Sequence, residues 1–233
     1  MPPEALRASR AHAFVDDLDA PLLDEGDRHH LERVLRLAPG DVVTVADGHG
    51  AWRPCRFGVG LEPLAEIVVD PMPLPTVTIA FAVVKGDRPE WTVQKLTELG
   101  VDVLVPMLTE RSVVRWTAER AERHLGRLRR VAREAAMQSR RSRLPRIEAV
   151  ASFADAVSRP GALLAAPGGR APARGDAVVL IGPEGGWTDA ELASAPDTVG
   201  LGPTVLRAET AAVAAGVLLT AIRPGGTLNA KGG

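Results

Sequence analysis

The sequence predicts an α/β protein: a C-terminal part with a mostly parallel sheet follows a smaller N-terminal domain of short strands. The segment Pro71-Met-Pro-Leu-Pro75 divides the chain, because three closely spaced prolines continue neither a helix nor a central strand. Before this segment, short β-branched runs alternate with turns. After it, apolar runs alternate with helical patterns, the order that is typical of parallel sheets covered by helices. We therefore expect one domain at residues 1–72 and a second at residues 73–233.

The composition indicates an ordinary globular protein. Of its 233 residues, 45% are hydrophobic, which is enough for a buried core. No apolar run approaches the roughly 20 residues that a membrane span needs, and Met1-Pro-Pro-Glu4 lacks the features of a secretory signal. Cys55 is the single cysteine, which excludes a disulfide framework and a cysteine-based zinc site. A cytoplasmic protein fits these features. The histidines show no metal-ligand spacing, so we expect no metal site.

The N-terminal domain is predicted to be mainly β, as in a small barrel. A helix is expected over residues 27–37, where Leu31, Val34 and Leu35 follow helical spacing. Asp47-Gly48 marks a turn between two strands. The predicted strands cover residues 41–46, 51–57 and 64–69.

The C-terminal domain is predicted from a regular alternation of strands and helices. Residues 77–84 are apolar and β-branched, as expected of a strand that is buried on both faces. Asp87-Arg-Pro-Glu90 indicates a helix start, with aspartate as the cap, proline in the first turn and glutamate three residues after the cap. Further strands are predicted at residues 101–107, 162–166, 177–181 and 198–201, and helices at residues 87–99, 118–141 and 209–222.

The segment Val178-Val-Leu-Ile-Gly-Pro-Glu-Gly-Gly-Trp-Thr-Asp-Ala-Glu-Leu192 has the pattern of a ligand site. An apolar strand ends in Gly182-Pro183, and a helix capped by Thr188 or Asp189 follows. Ligands of open α/β sheets lie outside the carboxyl ends of strands, and glycines there let a ligand reach the backbone. Glu184 would favour a cationic ligand or bind a ribose hydroxyl. By itself, the pattern fits a tight turn with an exposed glutamate equally well.

A second strand end lies at Leu201-Gly-Pro-Thr-Val-Leu-Arg-Ala-Glu-Thr210. Arg207 and Glu209 stand two residues apart, just before a helix rich in alanine and glycine. They form either a functional pair or a helix cap with a salt bridge. The small residues at 211–216 fit the close approach of another backbone, either in the core or in a dimer interface.

A polar cluster opens the C-terminal domain. Lys85-Gly-Asp-Arg88 precedes the predicted helix, and Gln94, Lys95 and Glu98 lie on that helix. Gln94 and Glu98 share one face because they are four residues apart. Taken alone, this cluster fits a solvated helix face better than a binding site.

Basic residues are concentrated between Arg111 and Arg146, where twelve arginines stand against three glutamates. This excess is too one-sided for an intrahelical salt-bridge ladder, because like charges four residues apart destabilise a helix. Contact with a polyanion explains it better than a solvated surface does. Aromatic residues are scarce, so the sequence favours backbone and shape contacts, with one base extruded for chemistry, over extensive base stacking.

Common nucleotide-binding and hydrolase motifs are absent from the sequence. No G-x-G-x-x-G follows a strand and no G-x-x-x-x-G-K-[ST] occurs, which argues against a dinucleotide site and against a P-loop nucleotidase. The motifs G-x-S-x-G and H-E-x-x-H are missing too. If the glycine segment binds a ligand, that ligand belongs to another class.

Taken together, these segments resemble the RsmE family, bacterial small-subunit rRNA methyltransferases of the SPOUT class, and the resemblance covers nearly the whole chain. The N-terminal segments are similar to the family's PUA-like barrel, and the later ones to its catalytic domain. The matching segments are His29-His-Leu-Glu-Arg-Val-Leu-Arg-Leu37, Pro39-Gly-Asp41, Asp47-Gly48, Lys85-Gly-Asp-Arg88, Gln94-Lys95, Glu98-Leu-Gly-Val101, Glu110-Arg-Ser112, Glu134-Ala-Ala-Met-Gln-Ser139, 180–186 and 201–210.

The resemblance implies an S-adenosylmethionine-dependent enzyme that methylates N3 of one uridine of 16S rRNA, uridine 1498 in the family's usual naming. It implies a PUA-like RNA-binding barrel at residues 1–72. For residues 73–233 it implies a SPOUT domain with a deep trefoil knot, where the pattern alone predicts an ordinary open sheet because knots are rare. It also implies a homodimer that acts on 16S rRNA or on the assembled small ribosomal subunit, with no membrane partner.

The resemblance also assigns roles to residues. Arg207 is expected to stabilise negative charge on the uracil carbonyl oxygens, and Glu209 to orient it, so both are expected to be catalytic. The expected methyl-donor contacts are Leu164, Ala165, Ile181, Gly182, Pro183, Glu184, Gly185, Gly186, Leu201, Gly202 and Leu206. The expected RNA contacts are Arg10, His30, Arg33, Arg36, Lys85, Arg88, Lys95, Arg111, Arg133, Gln138, Arg140, Arg141 and Arg143.

The chain departs from the family pattern at several positions. Met137 stands where glutamate or cysteine is usual, Arg140 replaces a frequent glycine, and Thr204 stands where the knot motif often has a basic residue. Residues 167–176 look like a loose loop.

Two alternatives remain open at this stage: a non-catalytic RNA-binding or ribosome-assembly module on a SPOUT scaffold, and a SPOUT enzyme that acts on another RNA. The presence of Arg207, Glu209 and the glycine segment favours an enzyme. The barrel-first order and residues 85–101 favour the rRNA substrate.

Overall fold

The structure is a computed structural model that describes residues 4–114 and 116–226. The chain divides into two compact units. The first holds the chain up to Met72 together with Arg133–Leu144, and the second holds Pro73–Ala132 and the chain from Pro145 onward. The first unit therefore takes in a segment that lies far beyond residue 72 in the sequence.

The first unit combines two short helices with one sheet of five strands. The elements are α1 (Glu4–Ala8), β1 (Ala11–Phe14), α2 (Glu25–His29), β2 (Val42–Ala46), β3 (Ala51–Phe57), β4 (Leu61–Pro63) and β5 (Val68–Val69). The strand order is β1-β2-β3-β4, with β5 also paired to β3. Only β1 and β2 are parallel to each other.

Two of the three strands that the sequence predicts in this unit are confirmed as β2 and β3. Of residues 64–69, only the last two pair in a strand, because the preceding residues leave the sheet after β4. The sequence pattern does not predict β1. Its four residues are all buried, so it lacks the alternation of apolar and polar residues that marks a half-buried strand.

The helix predicted at residues 27–37 is present but irregular. The carboxylate of Asp24 caps α2 by accepting a hydrogen bond from the N–H of Asp27 at 2.6 Å. A wider π-helical turn follows over His30–Val34. Arg36 then adopts a left-handed backbone conformation with φ 54°, which is where a chain commonly leaves a helix.

The second unit alternates strands and helices. Its elements are β6 (Thr78–Ala82), α3 (Arg88–Glu98), β7 (Val103–Leu108), α4 (Ala118–Gln138), β8 (Arg146–Ile147), β9 (Ala151–Ser152), α5 (Phe153–Val157), β10 (Ala162–Arg170), β11 (Val178–Ile181), α6 (Asp189–Ser194), β12 (Thr198–Val199) and α7 (Ala208–Ile222). The last residues of α4 belong to the first unit.

The seven strands of the second unit form one sheet in the order β12-β10-β11-β6-β7-β8, with β9 also paired to β7. Every strand pair is parallel. The predicted α/β architecture with a mostly parallel sheet is therefore confirmed. The short elements β8, β9 and α5 escape prediction because two to five residues show no periodicity.

Hydrophobic clusters form from alternate residues of the central strands. Leu163 and Ile181 pack in the cluster that includes α3, α4 and α7, whereas their neighbours Leu164 and Leu180 pack in a separate cluster with α5. Gly216 of α7 lies tightly against α3, because a Cβ there would stand 2.7 Å from Leu96 Cδ2. The small residues at 211–216 thus include one that this packing requires. Within the described residues, no helix is both long and apolar enough to cross a membrane.

Candidate methyl-donor pocket and RNA-facing residues

A cavity of about 540 Å³ opens beside β10, β11 and β12 in the second unit. The glycine turn, which we define as residues 182–187, lines one part of the cavity, and the segment that leads into α7 lines another. The two segments that the sequence singled out therefore face the same space. The lining residues are Ala165, Ala166, Pro167, Gly168, Ile181, Gly182, Pro183, Glu184, Gly186, Trp187, Leu192, Thr198, Leu201, Gly202, Thr204, Val205, Leu206, Ala208 and Ala211.

Nine of the eleven expected donor contacts line this cavity, and two do not. Leu164 is fully buried in the core, because successive side chains of β10 point to opposite faces of the sheet and Ala165 takes the cavity side. Gly185 is not part of the lining, and a Cβ built on it would lie 3.3 Å from Arg111 Cβ. Neither side chain lines the cavity, and contact of the two residues with the donor stays a prediction.

Trp187 is the lining residue of the glycine turn to which the sequence assigns no role. Its indole is buried and donates a hydrogen bond to the carbonyl oxygen of Ala165 at 2.9 Å. The ring also occupies the space beside Gly182, where a Cβ would stand 3.0 Å from Cε2 of the indole. A side chain at position 182 would therefore crowd the indole, so packing within the chain favours glycine there.

The glycine turn is closed by a local hydrogen bond, in which the N–H of Gly186 donates to the carbonyl oxygen of Pro183 at 2.9 Å. Gly186 has φ 69°, a conformation that glycine adopts without strain. Helix α6 then begins with Thr188 as its cap, and the Glu191 side chain accepts a hydrogen bond from the Thr188 N–H. Of the two caps that the sequence allowed, the structure uses Thr188.

Glu184 lies on the cavity wall and forms an ion pair with Arg88 at the start of α3. Both side chains are about half exposed, so the pair contributes little to stability and can exchange partners. The cluster that begins at Lys85 thus reaches the pocket through one of its members.

The loop at residues 167–176 is tied down, contrary to its loose appearance in the sequence. The guanidinium of Arg170 donates to both carboxylate oxygens of Asp176, at 2.7 and 2.9 Å, and to the carboxylate of Asp197. The hydrogen bonds from Arg170 lower the pKa of both carboxyl groups. This network holds the end of β10, which borders the cavity through Pro167.

Arg207 and Glu209 flank the start of α7, but they do not bond to each other. Arg207 precedes the first helical residue, its side chain is exposed and it makes no capping hydrogen bond. The Oε2 atom of Glu209 is buried and accepts no hydrogen bond from the described part of the chain. The expected orientation of Arg207 by Glu209 is thus not seen within the described part of the chain, and it stays a prediction.

Most of the expected RNA-contact cations already have partners within their own unit. These cations are therefore already bonded inside the protein, which the count of arginines in the sequence does not reveal. Arg10 pairs with Asp41, Arg88 with Glu184, Lys95 with Glu98 and Arg133 with Asp27, while carbonyl oxygens accept from Arg111 (Gly185 and Trp187), Arg140 (Ser9 and Arg10) and Arg143 (His49 and Asp70).

The other expected RNA contacts differ in exposure. His30, Arg33, Arg36, Lys85 and Gln138 are exposed, whereas Arg141 is half-buried. The carbonyl oxygen of Arg141 accepts a hydrogen bond from Nε2 of the buried His12 at 3.0 Å.

Helix α4 presents an exposed arginine face that the residue assignments missed. We define this face as Arg120, Arg123, Arg127 and Arg130, which are spaced three or four residues apart and therefore lie on one side of the helix. Arg123 pairs with Glu119 and Arg127 with Glu90. Helical spacing within the basic segment was the signal that could have identified it.

Within the described residues, no group of three histidine, cysteine or acidic side chains is placed to hold a metal ion.

Comparisons with known proteins agree with this arrangement. Residues 70–220 match the family described as RNA methyltransferase domain, and residues 23–59 match the one described as RNA methyltransferase PUA domain. The ribosomal RNA small subunit methyltransferase E of Mycobacterium bovis is 33% identical, over 87% of this chain and 88% of the relative. The protein of that name from Synechocystis is 37% identical, over 78% of this chain and 67% of the relative.

A solved structure of ribosomal RNA small subunit methyltransferase E from Neisseria gonorrhoeae, bound to S-adenosyl methionine, has a similar fold. It superposes with a TM-score of 0.77 at 29% identity, over 89% of this chain and 95% of that one. The resemblance to the RsmE family is therefore confirmed. The chain belongs to the RNA methyltransferase family that includes ribosomal RNA small subunit methyltransferase E.

Proposed function

We propose that this protein transfers a methyl group from S-adenosylmethionine to N3 of one uridine in 16S rRNA. One observation carries the proposal: in a member of this family, the glycine turn and the segment before α7 line one cavity. The relative from Neisseria gonorrhoeae, whose solved structure is bound to S-adenosyl methionine, supports the choice of donor. Acting on ribosomal RNA, the protein would work in the cytoplasm.

The cavity fits such a donor in size and in chemistry. Its volume lies within the range of small-molecule sites, roughly 300 to 1,000 Å³, and its walls are mostly aliphatic side chains and glycine backbone. Leu201 and Leu206 would pack against the adenine, and the backbone of the glycine turn would hydrogen-bond its polar groups. When bound, S-adenosylmethionine supplies an electrophilic methyl group.

Arg207 would act on the uracil. The N3 nitrogen becomes nucleophilic when it loses its proton, and the negative charge then spreads onto the two neighbouring carbonyl oxygens. A guanidinium beside those oxygens stabilises the charge, as oxyanion donors do. Arg207 suits this role because its side chain is exposed and makes no capping hydrogen bond. It also stands at the N-terminal, positive end of α7, which favours a nearby negative charge such as the one on the uracil oxygens.

Glu209 and the acceptor of the N3 proton are separate parts of this proposal. The buried Oε2 of Glu209 has no hydrogen-bond donor in the described chain, and we propose that substrate or a second copy of the chain supplies one. Water would take the proton from N3, since the segment 201–210 contains no histidine.

RNA would bind exposed polar and basic side chains of each unit. In the first unit, residues 1–72 would act as the RNA-binding domain through His30, Arg33 and Arg36, which are exposed. In the second unit, the arginine face of α4 would contact phosphates, because guanidinium groups in a row complement a polyanion. The substrate would be 16S rRNA, either free or in the assembled small subunit.

We further propose a homodimer and the trefoil knot of the SPOUT class. Val205 is 89% exposed and Val217 43% exposed near the pocket wall and on α7, which suits coverage by a second copy. Light scattering of the purified protein would measure the mass of the particle in solution, and a monomer at working concentration would contradict the dimer.

The function is tested by methylation of small subunits from a strain that lacks the enzyme, followed by mass spectrometry of the rRNA. We expect one N3-methyluridine to appear with the wild-type protein. We expect Arg207→Ala to lower the single-turnover rate by roughly 100-fold while S-adenosylmethionine affinity, measured by calorimetry, stays unchanged. Full activity of Arg207→Ala would rule out its catalytic role, and donor binding without methylation by the wild type would favour a non-catalytic RNA-binding module.

A further inference from the structure

The guanidinium of Arg111 binds the outer side of the glycine turn. Its Nη1 atom donates to the carbonyl oxygen of Gly185 at 2.9 Å and to that of Trp187 at 3.0 Å. The aliphatic stem of Arg111 also covers Gly185, since a Cβ built on that glycine would meet Arg111 Cβ at 3.3 Å and Cδ at 3.6 Å. One side chain thus contacts the turn at two peptide groups, and neither Arg111 nor Gly185 lines the cavity.

Both of these peptide groups are held at their other ends too. The Gly185–Gly186 peptide accepts from Arg111 and donates its N–H to Pro183. The Trp187–Thr188 peptide accepts from Arg111 and donates its N–H to Glu191 Oε2 at 2.9 Å. Rotation of either peptide plane would break two hydrogen bonds at once, so the orientation of the turn depends on Arg111 and Glu191 together.

Glu191 joins the glycine turn to the end of β7. Its carboxylate is buried, with the residue 5% exposed, and its Oε1 atom accepts a hydrogen bond from the N–H of Glu110 at 3.0 Å. Its other oxygen accepts from Thr188, as described above. Two oxygens therefore bind two backbone donors from separate segments, which glutamine cannot reproduce because it has a single acceptor oxygen.

Arg111 is held in place by a rigid turn of its own. The hydroxyl of Ser112 accepts from the N–H of Thr109 at 3.0 Å, and the two hydroxyl groups lie 2.9 Å apart. Thr109 and Ser112 are both buried, so this turn is anchored in the protein and fixes the backbone from which Arg111 extends.

From these contacts we infer that Arg111 and Glu191 are positioning residues, which keep the glycine turn in the shape that receives S-adenosylmethionine. This inference rests on the proposed function, because it takes the cavity as the donor site. It reassigns Arg111, expected from the sequence to contact RNA, to the donor side of the reaction. Neither residue lines the cavity, so both act through the backbone of the turn.

Two measurements test the inference, and the first needs no donor. In hydrogen exchange followed by mass spectrometry, the peptide that spans the glycine turn should exchange faster in Arg111→Ala than in the wild type. The reason is that the carbonyl oxygens of Gly185 and Trp187 lose their hydrogen bonds to Arg111, which leaves the N–H groups of Gly186 and Thr188 in the same peptide planes less firmly held. Equal exchange in the two proteins would overturn the positioning role, whatever the donor turns out to be.

The second measurement is S-adenosylmethionine affinity by calorimetry, together with affinity for a 16S rRNA fragment. We expect Arg111→Ala to weaken donor binding by about tenfold, the equivalent of losing part of two charge-assisted hydrogen bonds, and to leave RNA affinity unchanged. Arg111→Lys should restore part of the donor affinity, and Glu191→Gln should weaken it less than Arg111→Ala does. The matched control is Arg129→Ala, an exposed arginine of α4 outside its arginine face, which should bind donor like the wild type.

The outcomes separate this inference from the proposed function. Loss of RNA affinity with unchanged donor affinity in Arg111→Ala would overturn the positioning role and restore the assignment to RNA. A wild-type protein that binds no S-adenosylmethionine would contradict the proposed function, and the donor-binding part of the inference with it. A wild type that binds donor, with an Arg111→Ala variant that binds it equally well, would refute the inference alone.

Discussion

The indole of Trp187 lies directly against Gly182, so that a Cβ of residue 182 would stand only 3.0 Å from the ring atom Cε2. Trp187 is held there by its hydrogen bond to Ala165. The two ends of the glycine turn are thus packed against each other in the wall of the cavity.

Gly182→Ala should therefore destabilise the protein and weaken donor binding. We expect a loss of about 1 to 3 kcal/mol in the free energy of unfolding, the usual effect of overpacking a filled site, measured by denaturant titration. Gly202→Ala is the matched control for stability, because nothing lies within 4 Å of a Cβ at that position. Equal stability of the two variants would show that the indole moves aside at no cost.

The ion pair between Arg133 and Asp27 should be important for the stability of the first unit. Arg133 Nη1 donates to Asp27 Oδ1 at 3.0 Å, Nη2 binds the other oxygen, and Asp27 is buried. Arg133→Ala should cost about 3 kcal/mol, because it leaves a buried carboxylate without its main partner. The double variant Arg133→Met with Asp27→Leu should recover much of the loss, and a double variant as unstable as the single one would contradict this account.

Stability should fall on mild acidification because of His12. Burial lowers the pKa of its imidazole to about 4, below the ordinary value near 6.5. The folded state therefore holds the neutral ring, and protons bind the unfolded chain more readily. The neutral His12 therefore contributes fully to the free energy of unfolding above about pH 6.5. This contribution, about 3 kcal/mol in total, is lost as the pH falls towards 4. Unfolding measured from pH 7 to 4 should show a smaller slope for His12→Gln, and identical slopes would exclude His12 as the source.

RNA affinity should depend on salt through the arginine face of α4. Each phosphate contact contributes roughly 0.7 to 0.9 to the slope of log affinity against log salt, so replacing Arg120 and Arg130 with alanine should reduce that slope. Arg146→Ala serves as the control, because its exposed side chain already pairs with Glu148. Fluorescence anisotropy with a labelled rRNA fragment would measure the RNA affinity of the wild type and of both variants at several salt concentrations. An unchanged slope in the double variant would show that the arginine face of α4 does not contact RNA.

The sequence by itself determined the parallel-sheet architecture of the second unit, and it marked the glycine segment as one candidate ligand site. Strand patterns gave the buried runs of β6, β7 and β11, and glycines after a strand marked the turn that lines the cavity. These predictions succeed because strand burial and turn geometry depend on neighbouring residues. The family resemblance added the donor and the RNA substrate, which residue patterns alone left open.

Only the tertiary structure decided what each charged side chain binds. Arg111, Arg133 and Arg140 belong to one basic segment in the sequence, but they bind different partners. Arg111 donates to carbonyl oxygens of the glycine turn, Arg133 pairs with Asp27, and Arg140 donates to carbonyl oxygens near β1. The reason is physical: a guanidinium bonds whatever carboxylate or carbonyl the fold brings near, and these partners lie from about 74 to 131 positions away along the chain. A charge count records the donors of such bonds, while the fold alone supplies their acceptors.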